Sequence, residues 1–220
     1  MSDGRTRQPS VTESRSTLAP EDLARADFYA LLSRLYADAP DAGLLAAIAG
    51  APALEAARSV ADEVSPPGLP AAWDALRAAS AAMDAGAARE EYEDLFIGVG
   101  KCEVNLHGSH WLTGFMMEKP LADVRATLAT LGLGRRDGVN LVEDHVAALF
   151  ETMRILIAGH ADRPPAPIAQ QKAFFDRHLA PWIADCCTAV EQSPIANYYR
   201  RVAQFTNCYM AVERDSLAME

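Results

Sequence analysis

The sequence predicts an all-α fold, a compact multi-helix bundle of about ten helices joined by short connections. Three observations carry that prediction. Apolar residues recur at i, i+3 and i+4 through most of the chain. The breaks between these stretches hold Pro and Gly, the residues that start and stop helices. No stretch alternates apolar and polar residues over the length of a strand. Half of the 220 residues are hydrophobic, which is ample material for a core.

Residues 1–18 hold few large apolar side chains and many Ser, Thr and Arg, the composition of a disordered tail. Residues 19–220 read as a single helical domain. Glu21 and Asp22, just after Pro20, favour a helix N-terminus, and Leu23, Phe28, Leu31, Leu32 and Leu35 follow at helical spacing. That helix ends near Asp38, before Pro40. Two Ala-rich helices are expected over 41–49 and 52–63, then a break at Ser65-Pro66-Pro67-Gly68. The next helix runs over 70–85 with Trp73, Leu76 and Met83 inward. Another runs over 87–97, with Tyr92, Leu95 and Phe96 on one face and Gly98 and Gly100 to stop it.

Residues 99–110 read as irregular, and 111–117 as helix again. Pro120 opens a helix through Leu121, Val124, Leu128 and Leu131 that closes at Gly132 and Gly134. The clearest helix is expected over 141–158, with Asn140 as N-cap and Glu143 three residues on, the pattern of a capping box. Its buried stripe is Val142, Val146, Leu149, Phe150, Met153 and Ile157, ended by Gly159. A Pro-rich linker over 163–167 leads to helices at 168–178 and 180–192, the latter interrupted at Pro181. After Pro194 a last helix keeps Tyr199, Val202, Phe205, Tyr209 and Val212 in register.

The formal net charge is −10 and the pI about 5.0. General nucleic-acid binding needs a cationic footprint and is not expected. An acidic surface steers basic partners, besides keeping a protein in solution. No apolar run approaches the roughly 20 residues that span a bilayer, and the N-terminal stretch lacks the apolar core of a secretory signal. The chain is expected in the cytoplasm, with its four cysteines as thiols.

Two cassettes stand out: Glu91-Tyr92-Glu93-Asp94-Leu95-Phe96-Ile97-Gly98, and Glu143-Asp144-His145 before an apolar helix. With Phe28-Tyr29-Ala30-Leu31-Leu32-Ser33, Met116-Met117-Glu118-Lys119-Pro120-Leu121-Ala122-Asp123-Val124-Arg125 and His178-Leu179-Ala180-Pro181-Trp182, their order resembles the TorD/DmsD/NarJ family of molybdoenzyme maturation chaperones. The resemblance covers nearly everything after the N-terminal tail. It departs after Gly98, where many relatives carry a proline-rich, aromatic stretch and this chain has Cys102, His107 and His110.

The resemblance implies a helical chaperone, monomeric or a domain-swapped homodimer, and neither an enzyme nor a cofactor carrier. Its partner would be an apo-molybdoenzyme catalytic subunit, held by its body or by its basic-apolar twin-arginine signal peptide until the cofactor is inserted. Glu143 and Asp144 would meet the arginines, beside His145, with Tyr92, Phe96 and Trp111 along the apolar part. Each has a structural alternative: Glu143 capping its own helix, Asp144 favouring the helix dipole, His145 in a contact with Asp, Tyr92 and Phe96 in the core. His178 and Trp182 can likewise brace two helices.

A second hypothesis is a metal-dependent helical enzyme or sensor built on Cys102, His107 and His110, since thiolate and imidazole suit zinc. Their spacing fits no common zinc pattern, and a fourth ligand is lacking beyond Glu103. Gly98-Val99-Gly100-Lys101 is no P-loop, because the glycine spacing fails and Cys102 stands where Ser or Thr is needed.

Overall fold

The computed structural model describes residues 18–55, 68–98, 102–136, 138–160 and 163–219. Among these the chain forms ten α-helices and no strand. They are α1 (Pro20–Ala37), α2 (Ala42–Ala49), α3 (Leu69–Ala82), α4 (Ala85–Tyr92), α5 (Gly108–Thr113), α6 (Lys119–Thr130), α7 (Val146–Ala158), α8 (Ile168–His178), α9 (Ile183–Gln192) and α10 (Tyr198–Ala218). A π-turn, Glu93–Ile97, continues α4. The expected tail over 1–18 falls, except for Leu18, outside the described residues.

Local chemistry sets most of these ends. Asp41 caps α2 by accepting from the Leu44 N–H at 2.7 Å, and Asp84 caps α4 by accepting from Gly86 and Ala87. Pro20, Pro70 and Pro120 stand in the first turns of α1, α3 and α6, where a missing N–H costs nothing. Gly132, at φ 62°, closes α6: its N–H bonds the Ala129 carbonyl and the Leu133 N–H bonds the Leu128 carbonyl.

The centre of the molecule is α1 laid along α7, with α10 packed on α3 and α9. Tyr29, Leu32, Leu35 and Tyr36 of α1 meet Leu149, Phe150 and Met153 of α7, all essentially without exposure. Each such side chain contributes about 1.5–3 kcal/mol by burial. Aromatic rings tie the helices together, Phe28 to Phe205 at 5.3 Å and Phe96 to Tyr199 at 5.0 Å. Several buried tyrosine hydroxyls find partners: Tyr199 donates to the Leu35 carbonyl, Tyr92 to that of Tyr36, and Tyr36 bonds Thr206.

Several boundaries differ from the sequence expectation. Residues 52–55 are not helical, and the rest of the expected 52–63 helix lies outside the described residues, as do Ser65, Pro66 and Pro67 of the break. The helix expected over 111–117 is instead α5, which stops at Gly114 in the left-handed region, leaving 114–118 irregular. α7 begins at Val146 and not near 141: His145, not Asn140, is its cap. Val142 therefore lies outside the helix and is only partly buried. On α10, Val212 is 48% exposed, while Glu213 takes the buried place beside it. Arg25 reaches Glu213 from α1, with Nη2 at 2.6 Å and Nε at 3.0 Å, so the buried carboxylate has a full ionic partner.

Candidate functional site

The irregular segment after the π-turn is stitched to the start of α7. The Val104 N–H donates to the Leu95 carbonyl at 2.9 Å. His107 and His145 then pair as an antiparallel bridge, with Gly108 N–H donating to Asp144 and Val146 N–H to Leu106. The two imidazoles meet edge to face, centroids 4.9 Å apart. This long-range pairing fixes the backbone at 144–146, and the helix starts only after it.

The tripeptide Glu143-Asp144-His145 consequently points to three places. Asp144 is 2% exposed, and one of its oxygens accepts from both the Ser109 N–H (2.9 Å) and the Ser109 hydroxyl (2.6 Å). It thereby caps α5 from another part of the chain. His145 is buried and caps α7, its Nδ1 accepting from the Ala147 N–H at 3.2 Å. Glu143 reaches the surface. Its Oε2 holds Arg125 of α6 at 2.9 Å, and Arg135 Nε stands 3.8 Å from Oε1. No capping box forms at Glu143, because the residue lies ahead of the helix.

Two grooves open on either side of this tripeptide. One, of about 350 Å³, is lined by Tyr92, Phe96, Ile97, Cys102, His107, Leu141, Val142 and His145 among others. The other, of about 450 Å³, is lined by Leu133, Val139, Leu141, Ala148 and Ile155, with Arg135, Arg136, Glu143 and Glu151 on its walls. Leu141 lines both; among the described residues the first groove carries no charged side chain and the second carries four.

The electrostatics of the two grooves differ. Burial, reinforced by His107, pushes the His145 imidazole down to about 3, so it is neutral at pH 7. Burial also lowers His107, against the attraction of Asp144. At Glu143 burial opposes the charge, but its own backbone N–H and Arg125 outweigh this and hold the carboxyl below its ordinary value. One groove is thus uncharged and the other carries a stable carboxylate.

Of the residues singled out in the sequence, Tyr92, Phe96 and His145 come together in the first groove, and Glu143 stands in the second. Tyr92 and Phe96 show it only small edges, being 5% and 8% exposed. Trp111 is half-buried outside it, its indole N–H donating to the Asn105 carbonyl at 2.7 Å. Cys102 and His107 line the first groove, whereas His110 faces the Trp111 ring. Among the described residues no group of three or more His, Cys, Asp or Glu side chains is placed to hold a metal ion. His178 braces α8 on α6 through Thr127, at 2.9 Å, and its carbonyl takes the Trp182 indole N–H.

Sequence reasoning missed Leu141, Ser109, Arg125 and Arg135. Leu141 was assigned to a helix, and the other three act through partners 35, 18 and 8 positions away in the chain. It also missed an exposed apolar stretch after α5: Phe115 and Met117 are 69% and 70% exposed. Met116 Sδ there accepts from the Asn105 side chain, which itself lines the first groove.

Among the described residues no helix is long and apolar enough to cross a membrane. A comparison with curated proteins finds no match. The family model of the nitrate reductase delta subunit matches residues 62–188, more than half of the chain and including both cassettes. Helical fold, ordered motifs and this match agree, and the chain belongs to the nitrate reductase delta subunit family, a family of molybdoenzyme maturation chaperones.

Proposed function

We propose that this chaperone acts in the cytoplasm and holds an immature molybdoenzyme catalytic subunit by a basic-apolar segment, its twin-arginine signal peptide, until the cofactor is in place. The observation that carries this reading is the pair of grooves that share Leu141 as a wall, one uncharged and one charged. A peptide with arginines before an apolar run needs carboxylates at one end of its path and apolar walls along the rest. Glu143 and Glu151 supply the first; Ile97, Leu141 and Val142, with the edges of Tyr92 and Phe96, supply the second. The neutral His145 adds no repelling charge. The flexible Met116 and Met117 side chains, exposed beside Asn105, suit an apolar surface that varies between clients.

Asp144 has a positioning role in this reading. It holds Ser109 and so fixes the segment that forms one wall of the first groove. Calorimetric titration with twin-arginine peptides and with the apo-enzyme subunit tests the reading. Binding that weakens several-fold in Glu143→Gln supports it; no binding to any peptide or to the apo-subunit ends it.

A further inference from the structure

The charged groove already contains two arginines of the protein's own. Arg135 and Arg136 are adjacent, as in a twin-arginine pair, and both line the groove that holds Glu143. The two cations on Glu143 are not equivalent. Arg125 sits on a helix and takes Oε2 with both Nε (3.0 Å) and Nη2 (2.9 Å). Arg135 sits on the connection after α6, and its Nε stands 3.8 Å from Oε1, at the limit of an ion pair. Its Nη1 turns instead to the Val139 carbonyl, at 3.3 Å. Of the two arginines, Arg125 thus anchors one oxygen of Glu143, and Arg135 covers the other only weakly. The space beside Arg135 is open: a Cβ placed on Gly134 or Gly138 would meet nothing within 4 Å.

We propose that Arg135 is a placeholder for a client guanidinium, resting on Oε1 of Glu143 in the free protein and displaced when a basic segment enters. This inference rests on the peptide-binding reading above and deepens it. Displacement makes Glu143 selective. A client arginine must offer a better fork to Oε1 than Arg135 does, and a point charge such as lysine gains less from the exchange. Arg136 is exposed and makes no ion pair among the described residues, so it serves as the control for charge alone.

The test is fluorescence anisotropy with a labelled peptide of two arginines followed by an apolar run, against full-length protein. Arg135→Gln is expected to tighten binding about two- to fivefold, the range of an exposed ion pair. Arg136→Gln should tighten it distinctly less, and the Arg135→Gln effect should vanish in a Glu143→Gln background. Equal gains from both arginine variants, persistence of the gain without Glu143, or weaker binding by Arg135→Gln overturns the placeholder while leaving peptide binding intact. Failure of every protein to bind the peptide overturns the underlying reading together with it. Arg135→Ala carries the same expectation as a second variant, and thermal melts confirm that each protein is folded.

Discussion

A carboxylate that takes two bonds from Ser109 while 2% exposed has little left to offer a ligand. Asp144 and Glu143 are neighbours in sequence, yet they carry opposite kinds of work. Asp144→Ala leaves the buried Ser109 N–H without its acceptor and should lower stability by about 1.5–3 kcal/mol, the scale of a charged hydrogen bond. Glu143→Gln removes an ion pair with the 53%-exposed Arg125 and should change stability by less than about 1 kcal/mol. Urea denaturation of the two variants checks the contrast; equal losses would erase the division of roles. His145 gives a pH prediction with a definite sign. Its imidazole titrates near 6.5 when unfolded and near 3 when folded. Between those values the unfolded chain binds more protons, so stability is full at pH 7 and is lost as the pH falls below about 6.5. The loss by pH 5 is about 2 kcal/mol from this residue. His145→Asn keeps an N-cap without a titrating group, and its stability should fall less between pH 7 and 5 than that of the parent. His178, lowered to about 4 by burial and Arg177, contributes in the same direction and remains in the variant.

At the scale of elements, the π-turn Glu93–Ile97 and the bridge at His107 and His145 decide what the first groove looks like. The i→i+5 bond from Gly98 N–H to the Glu93 carbonyl swings the chain out of α4, and Ile97 emerges 61% exposed at the groove. Gly98 sits at φ 59° and ψ 165°, a region open essentially to glycine alone. Gly98→Ala should therefore cost about 1–3 kcal/mol and weaken peptide binding beyond what the stability loss explains; a denaturation curve and a titration at one temperature measure both. These features also mark what the sequence could disclose. The helix over 168–178 was readable to the residue, because Pro167 and the packed Phe174, Phe175 and His178 are local signals. The start of α7 was not, because Asn140 and Glu143 offer a local capping pattern that a bond to Leu106, forty residues back, overrides. The same limit hid the turn of Asp144 toward Ser109 and the burial of Glu213, each stabilised by a partner remote in sequence. Ordered motifs name Tyr92, Phe96, Trp111 and His145 one by one, but which of them share a groove depends on the setting of Leu141 and of the segment before α5, which is long-range.

The whole molecule carries a formal charge of −10, and in the proposed function that would bear on how quickly a client arrives rather than on which groove receives it. On the peptide-binding proposal, a twin-arginine segment would be drawn by the summed field before it touches Glu143. Local pairing and global steering respond differently to salt: the field is screened over roughly 8 Å at physiological ionic strength, while contacts inside a groove are screened less. The association rate should therefore fall about tenfold or more from low to high salt, with the dissociation rate changing much less. Stopped-flow measurements with the labelled peptide over a salt series separate the two. The Glu143→Gln variant should behave in the complementary way. It keeps nine-tenths of the net charge, so its association rate should stay near that of the parent, and its deficit should appear in faster dissociation. An association rate indifferent to salt would mean that the acidic surface plays no part in capture.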